Sequence, residues 1–115
     1  MSQDIIDPVD LDFLRNITDC DIEFEQDLLK TFIESSGNDI RRMERSIGNT
    51  HNNDWYLSSH SFKGSSASIG AFSLAKMLEE AQLKKDAPDE DKMKILKKIQ
   101  KDLNIVIEFL KESLV

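Results

Sequence analysis

The sequence predicts an all-α fold: an antiparallel up-down four-helix bundle with a short additional N-terminal helix. Three observations carry this. Leu96, Ile99, Leu103, Val106 and Leu110 recur at alternating steps of three and four, the signature of a helix with one buried stripe. Four glycines and two prolines in 115 residues leave little material for hairpins. The strongly periodic stretches are joined by short turns, which favours antiparallel neighbours.

Taken in order, Met1 to Asp7 reads as a loose lead-in. Val9-Asp10-Leu11-Asp12-Phe13-Leu14 follows as a short helix, with Leu11 and Leu14 (or Phe13) inward. Thr18 and Asp19 resemble a break and an N-cap for the next helix. From Asp21 onward Phe24, Leu28, Phe32, Ile40, Met43 and Ile47 fall largely at helical spacing. Ser35-Ser36-Gly37-Asn38 interrupts them, and one long, locally weakened helix is the expectation. Gly48 to Asn53 forms a clear loop, with Asn52 or Asn53 as the cap of a third long helix and His51 a solvated side chain.

That helix should end near Gly70, a residue suited to a left-handed C′ position. The next begins at once, with Leu74, Ala75, Leu78 and Ala81 inward and Gln82 in its last turns. Lys84 to Pro88 makes the following turn. Asp89, Glu90 and Asp91 then place negative charge at the start of the final helix, where its dipole favours it. The charged positions further along that helix read as its wet face. No internal repeat or low-complexity tract occurs, and residues 1–115 are expected to form a single domain.

Composition narrows the function. With 15 basic and 22 acidic residues the chain carries a formal charge of −7, which argues against nucleic acid or an anionic membrane surface as main partner. The one cysteine, Cys20, cannot form an internal disulfide. Without an apolar leader or a long apolar run, a cytoplasmic protein is expected, a monomer by default. No phosphate-binding glycine loop is present, so catalytic use of ATP is not expected.

The chemistry concentrates in Ser59 to Gly70. Trp55, Ser59, Phe62, Ser66 and Ile69 share one helical stripe, the natural buried face. His60 lies about 160° around the axis from Phe62 and so faces outward. Tyr56 stands one turn before it; Lys63, Gly64 and Ala67 follow on the same side. An interior glycine costs a helix about 1 kcal/mol relative to alanine, so Gly64 asks for a reason outside helix stability. From Trp55 to Leu78 there is no acidic residue, although at the chain-wide rate of 22 in 115 about four or five would be expected. Carboxylates are missing where they would repel a phosphoryl group. A metal site is not expected, since the histidines are nine residues apart and no ligand shares His60's face. An exposed neutral imidazole is a competent nucleophile near pH 7. Attack on phosphorus would give a phosphoramidate, with Lys63 stabilising its oxygens and Gly64 admitting a partner's active site.

The run His60-Ser-Phe-Lys63-Gly64-Ser65-Ser66-Ala-Ser-Ile-Gly70-Ala71 closely resembles the signature of histidine-containing phosphotransfer (HPt) domains. The likeness extends through Leu74-Ala75-Met77-Leu78-Glu79 and the closing amphipathic helix, nearly the whole chain. The resemblance implies a carrier that relays phosphate between aspartates of receiver domains, with His60 phosphorylated on Nε2. It implies Lys63 as the basic residue near the phosphate and Gly64 as the small residue that admits the receiver. Gln82 falls where some members place a glutamine that orients the imidazole. Tyr56 and Ala67 fall on the apolar docking surface. Partners would be response-regulator receivers or a hybrid histidine kinase. No cofactor is implied on this chain, because Mg²⁺ belongs to the receiver's acidic pocket. Ser59 stands where alanine is common, a mild departure. Two other uses of the motif stay open: the phospho-accepting domain of a chemotaxis-type kinase, and a helical adaptor that carries no phosphate.

Overall fold

In the computed structural model, described over residues 7–48 and 52–113, the chain forms five helices and, among these residues, no strand. They are α1 (Leu11–Thr18), α2 (Ile22–Ser46), α3 (Asn52–Ser68), α4 (Phe72–Leu83) and α5 (Asp89–Ser113). Helix α2 packs on α3 and α5, and α4 packs on the same two, so the four long helices close a ring. Short α1 lies against α2. This is the expected four-helix bundle with an extra N-terminal helix.

The ring is filled from one stripe of each helix. Trp55 and Phe62 from α3, Leu74 and Leu78 from α4, Met43 from α2, and Ile99 and Val106 from α5 are completely buried. Side chains of this size contribute roughly 1.5–3 kcal/mol each when taken from water. Small residues let the helices close in: Ser58, Ser59 and Ser66 are fully buried on α3. Ser59 Oγ donates back to the carbonyls of Trp55 (2.7 Å) and Tyr56 (3.0 Å), so its burial leaves no unmet hydroxyl.

Several local expectations need correction. Val9 precedes α1, whose N-cap is Asp10; its carboxylate accepts from Phe13 N–H at 3.0 Å. The α2 cap is Asp21, accepting from Phe24 N–H at 3.2 Å, rather than Thr18 or Asp19. Asp19 instead closes α1 in the left-handed conformation (φ 55°). The expectation of one long helix through Ser35 to Asn38 holds: α2 is unbroken there, with the Ser35 and Ser36 hydroxyls turned onto carbonyls of the preceding turn. Asn52 and Asn53 both lie inside α3, and Asn52 Oδ1 accepts from Lys92 Nζ at 2.8 Å. His51 and Met1 to Ile6 fall outside the described residues.

The α3–α4 junction is a tight turn. Ala71 N–H reaches Ser66 O (2.9 Å) and Gly70 N–H reaches Ala67 O (3.1 Å), a paired C-terminal cap that requires Gly70 at φ +87°. Gly70 O in turn accepts from Asp10 N–H at 2.9 Å, tying the segment before α1 to the end of α3. No helix among the described residues is long and apolar enough to cross a membrane.

Candidate functional site

The buried stripe of α3 fixes which way its opposite side looks. With Trp55, Ser59, Phe62 and Ser66 inward, His60 is exposed on the outer wall, with Gly64 exposed one turn on. Lys63 and Ala67 are half-buried beside them, and Tyr56 is half-buried one turn before. The Tyr56 and His60 rings are parallel (1° between planes, centroids 6.2 Å apart). A Cβ built on Gly64 would meet no heavy atom within 4 Å. The bundle therefore does not require glycine there.

Helix α4 supplies the second wall. Gln82 Oε1 lies 3.4 Å from His60 Nδ1. An amide oxygen can only accept, so this contact favours the tautomer with hydrogen on Nδ1 and a free lone pair on Nε2. Among the described residues Nε2 has no protein partner, and Lys63 has neither a hydrogen bond nor an ion pair. Lys85, read from the sequence only as part of a turn, brings its Nζ to 5.8 Å from the Tyr56 ring centroid. A second cation thus stands over the ring that lies parallel to the imidazole.

The acid-free stretch does not extend to the neighbouring helix. Asp39 on α2 is buried, and its Oδ2 accepts from Ser61 Oγ at 3.4 Å, beside the outward histidine. Burial pushes the Asp39 carboxyl above its usual range, while the Ser61 hydroxyl and the charge of Arg42 oppose that rise. A search for periodic apolar residues passes over such a position. The described residues contain no group of three or more His, Cys, Asp and Glu placed to hold a metal ion.

The site is a wall rather than a pocket. Two cavities among the described residues lie away from it: about 490 Å³ where α1 meets the α3–α4 turn, and about 250 Å³ between α2 and α5. An exposed nucleophile without a substrate pocket of its own is suited to a group presented from the active site of another macromolecule. The model of the Hpt domain family matches residues 27–108, a span that includes the whole histidine helix and α4. The chain belongs to the Hpt domain family. Histidine phosphotransfer in two-component signalling is the activity that goes with that membership. The fold agrees: the chain is similar to the crystal structure of histidine-containing phosphotransfer protein B (HptB) from Pseudomonas aeruginosa PAO1. The TM-score is 0.82 at 21% identity, over 93% of this chain and 94% of that one. No curated protein sequence matches the chain. Of the six residues singled out in the sequence, Tyr56, His60, Lys63, Gly64 and Ala67 lie along α3, and Gln82 meets His60 from α4.

Proposed function

We propose that this Hpt domain is a phosphorelay carrier, with His60 accepting a phosphoryl group from the aspartate of one receiver domain and delivering it to another. The observation that carries the reading is the contact between His60 Nδ1 and Gln82 Oε1 at 3.4 Å on an otherwise open wall. With Nδ1 holding its hydrogen, the Nε2 lone pair attacks phosphorus in line as the bond to the receiver's carboxylate oxygen breaks. The carboxylate leaves with that electron pair. The product is a phosphoramidate on Nε2, its ring cationic because Nδ1 keeps its proton against Gln82. On the return step the imidazole departs as a neutral group, which makes the bond easy to break again.

The other residues take roles around that exchange. Lys63 supplies a mobile point charge to the phosphoryl oxygens. Gly64 leaves room for the receiver's active-site edge, while Tyr56 and Ala67 flank the docking area. Mg²⁺ would arrive in the receiver's own acidic pocket, so the carrier needs no cofactor of its own. A cytoplasmic monomer served by receivers or by a hybrid histidine kinase fits this division of labour.

The test is to mix the protein with a ³²P-labelled phosphorylated receiver panel. Label should move onto this chain, be acid-labile and base-stable, and disappear in His60→Gln without loss of helicity. Full labelling of His60→Gln would place the nucleophile elsewhere, and no labelling of the unaltered protein by any receiver would reject the relay.

A further inference from the structure

We propose that Trp55 is a positioning residue for His60, acting through the carbonyl of Ala81 and the side chain of Gln82. The inference rests on the reading that Gln82 orients the phosphoaccepting imidazole. The Trp55 indole Nε1–H donates to Ala81 O at 2.8 Å, across the α3–α4 interface. Gln82 is the next residue, and α4 ends at Leu83.

The placement matters because the last carbonyls of a helix have no partner within it, and helix ends fray. Among the described residues, Ala81 O accepts besides the indole the Lys84 N–H, at 3.0 Å in the turn that follows. That bond lies in the turn; the indole bond runs to the bundle core. Ala81 is buried in the core, but Gln82 is only half-buried and Leu83 is 78% exposed, so beyond Ala81 packing does little to hold the end of α4. Trp55 itself is packed on all sides. It is completely buried, and the ammonium of buried Lys92 sits 5.3 Å from its ring centroid, held by Asn52 Oδ1 at 2.8 Å. Three helices thus converge on the indole, and its N–H fixes the residue from which Gln82 reaches His60. A hydrogen-bond geometry at 3.4 Å has little slack before it is lost.

Protein labelled with ¹⁵N-histidine reports the result directly. The chain has two histidines, and His60→Gln identifies the signals of His60. Read on the alkaline plateau where they no longer change with pH, the ¹⁵N shifts give the share of each tautomer. In Trp55→Phe, the Nδ1–H share of His60 should fall to the level seen in Gln82→Ala, with no further fall in the double variant. Acceptance of phosphate from a small phosphoramidate donor should drop roughly two- to tenfold in each, the size expected for one neutral hydrogen bond.

A folded Trp55→Phe with the original tautomer overturns the inference, as does an additive shift in the double variant or an unchanged tautomer in Gln82→Ala. If Trp55→Phe does not fold, β-(3-benzothienyl)alanine at this single tryptophan keeps the ring shape and replaces the N–H by sulfur; an unchanged tautomer there also overturns it. Because the tautomer is read without phosphate, a tautomer shift in a protein that accepts none would sink the relay and leave the tether standing.

Discussion

Gly64 and Gly70 lie six residues apart at the end of one helix and stand under opposite constraints. A side chain on Gly64 would meet open space, whereas at Gly70 a Cβ would come within 2.9 Å of Asp10 O and 3.2 Å of the Phe13 ring, at φ +87°. Gly64→Ala should therefore stabilise the fold by about 0.5–1 kcal/mol, and Gly70→Ala should destabilise it by roughly 1–3 kcal/mol. Urea unfolding of both variants decides this. Gly64→Gln should also fold, yet bind a receiver at least about tenfold more weakly, because bulk is added at the centre of the proposed contact. Unaltered receiver affinity would remove that role for Gly64.

Lys63 has no partner among the described residues, so its removal should leave stability within about 0.5 kcal/mol. The effect of Lys63→Ala should appear in transfer, slowed roughly tenfold through loss of a charge-assisted contact to the phosphoryl oxygens. Lys63→Arg should recover part of it. Single-turnover transfer from a phosphorylated receiver measures both.

Asp39 gives the fold a pH dependence of known sign. Its carboxyl is held above its usual range by burial. Between the ordinary carboxylate pKa of about 3.9 and the raised one, the folded state keeps a proton that the unfolded state has lost. Stability therefore falls as pH rises through that window. Asp39→Asn, which keeps an acceptor for Ser61, should be more stable than the parent at pH 7. The difference should vanish near pH 3. Asp102, also raised by burial, is present in both proteins and cancels in the comparison. A gain that is the same at both pH values would show that the carboxylate charge is not its source.

Lys92 is 2% exposed although it belongs to a helix rich in solvated charge. Its stem fills core space while its ammonium meets Asn52 and the Trp55 ring. Lys92→Met should cost about 1 kcal/mol or less, since it keeps the stem, and Lys92→Ala roughly 2–4 kcal/mol through the cavity it leaves. Equal losses would mean that the charge, not the packing, carries the contribution. Thermal melts of the two variants separate these outcomes.

The stripe of α5 was legible because every inward position after Lys92 is aliphatic. Helix α2 was less so. Phe24 looks inward when counted in fours to Phe32, yet it is 45% exposed. Each step of four overshoots a full turn by about 40°, so Phe24 stands about 80° from Phe32 around the axis. Glu25 lies within about 20° of it. Glu25 is the buried residue, accepting from Thr18 Oγ1 at 2.9 Å. The true stripe runs through Glu25, Phe32, Ser36, Asp39, Met43 and Ser46, and its polar members are invisible to a pattern built on hydrophobicity.

Around the histidine, the outward direction of His60 and the emptiness beside Gly64 followed from spacing on a single helix. Gln82 was placed only by the family likeness, because no periodicity on α3 can say which residue of α4 comes within 3.4 Å. Lys85 and Asp39 were missed for the same reason. Contacts between helices depend on the register of the whole bundle, and that register is not written in either helix alone.

The Nε2 side of the imidazole opens onto a wall with no niche of its own. In the proposed relay such a wall offers a single berth, so a donor and an acceptor would take turns on it and never sit there together. Steady-state transfer between two receivers should then give parallel double-reciprocal lines, with each receiver, in excess, acting as a competitive brake on the other.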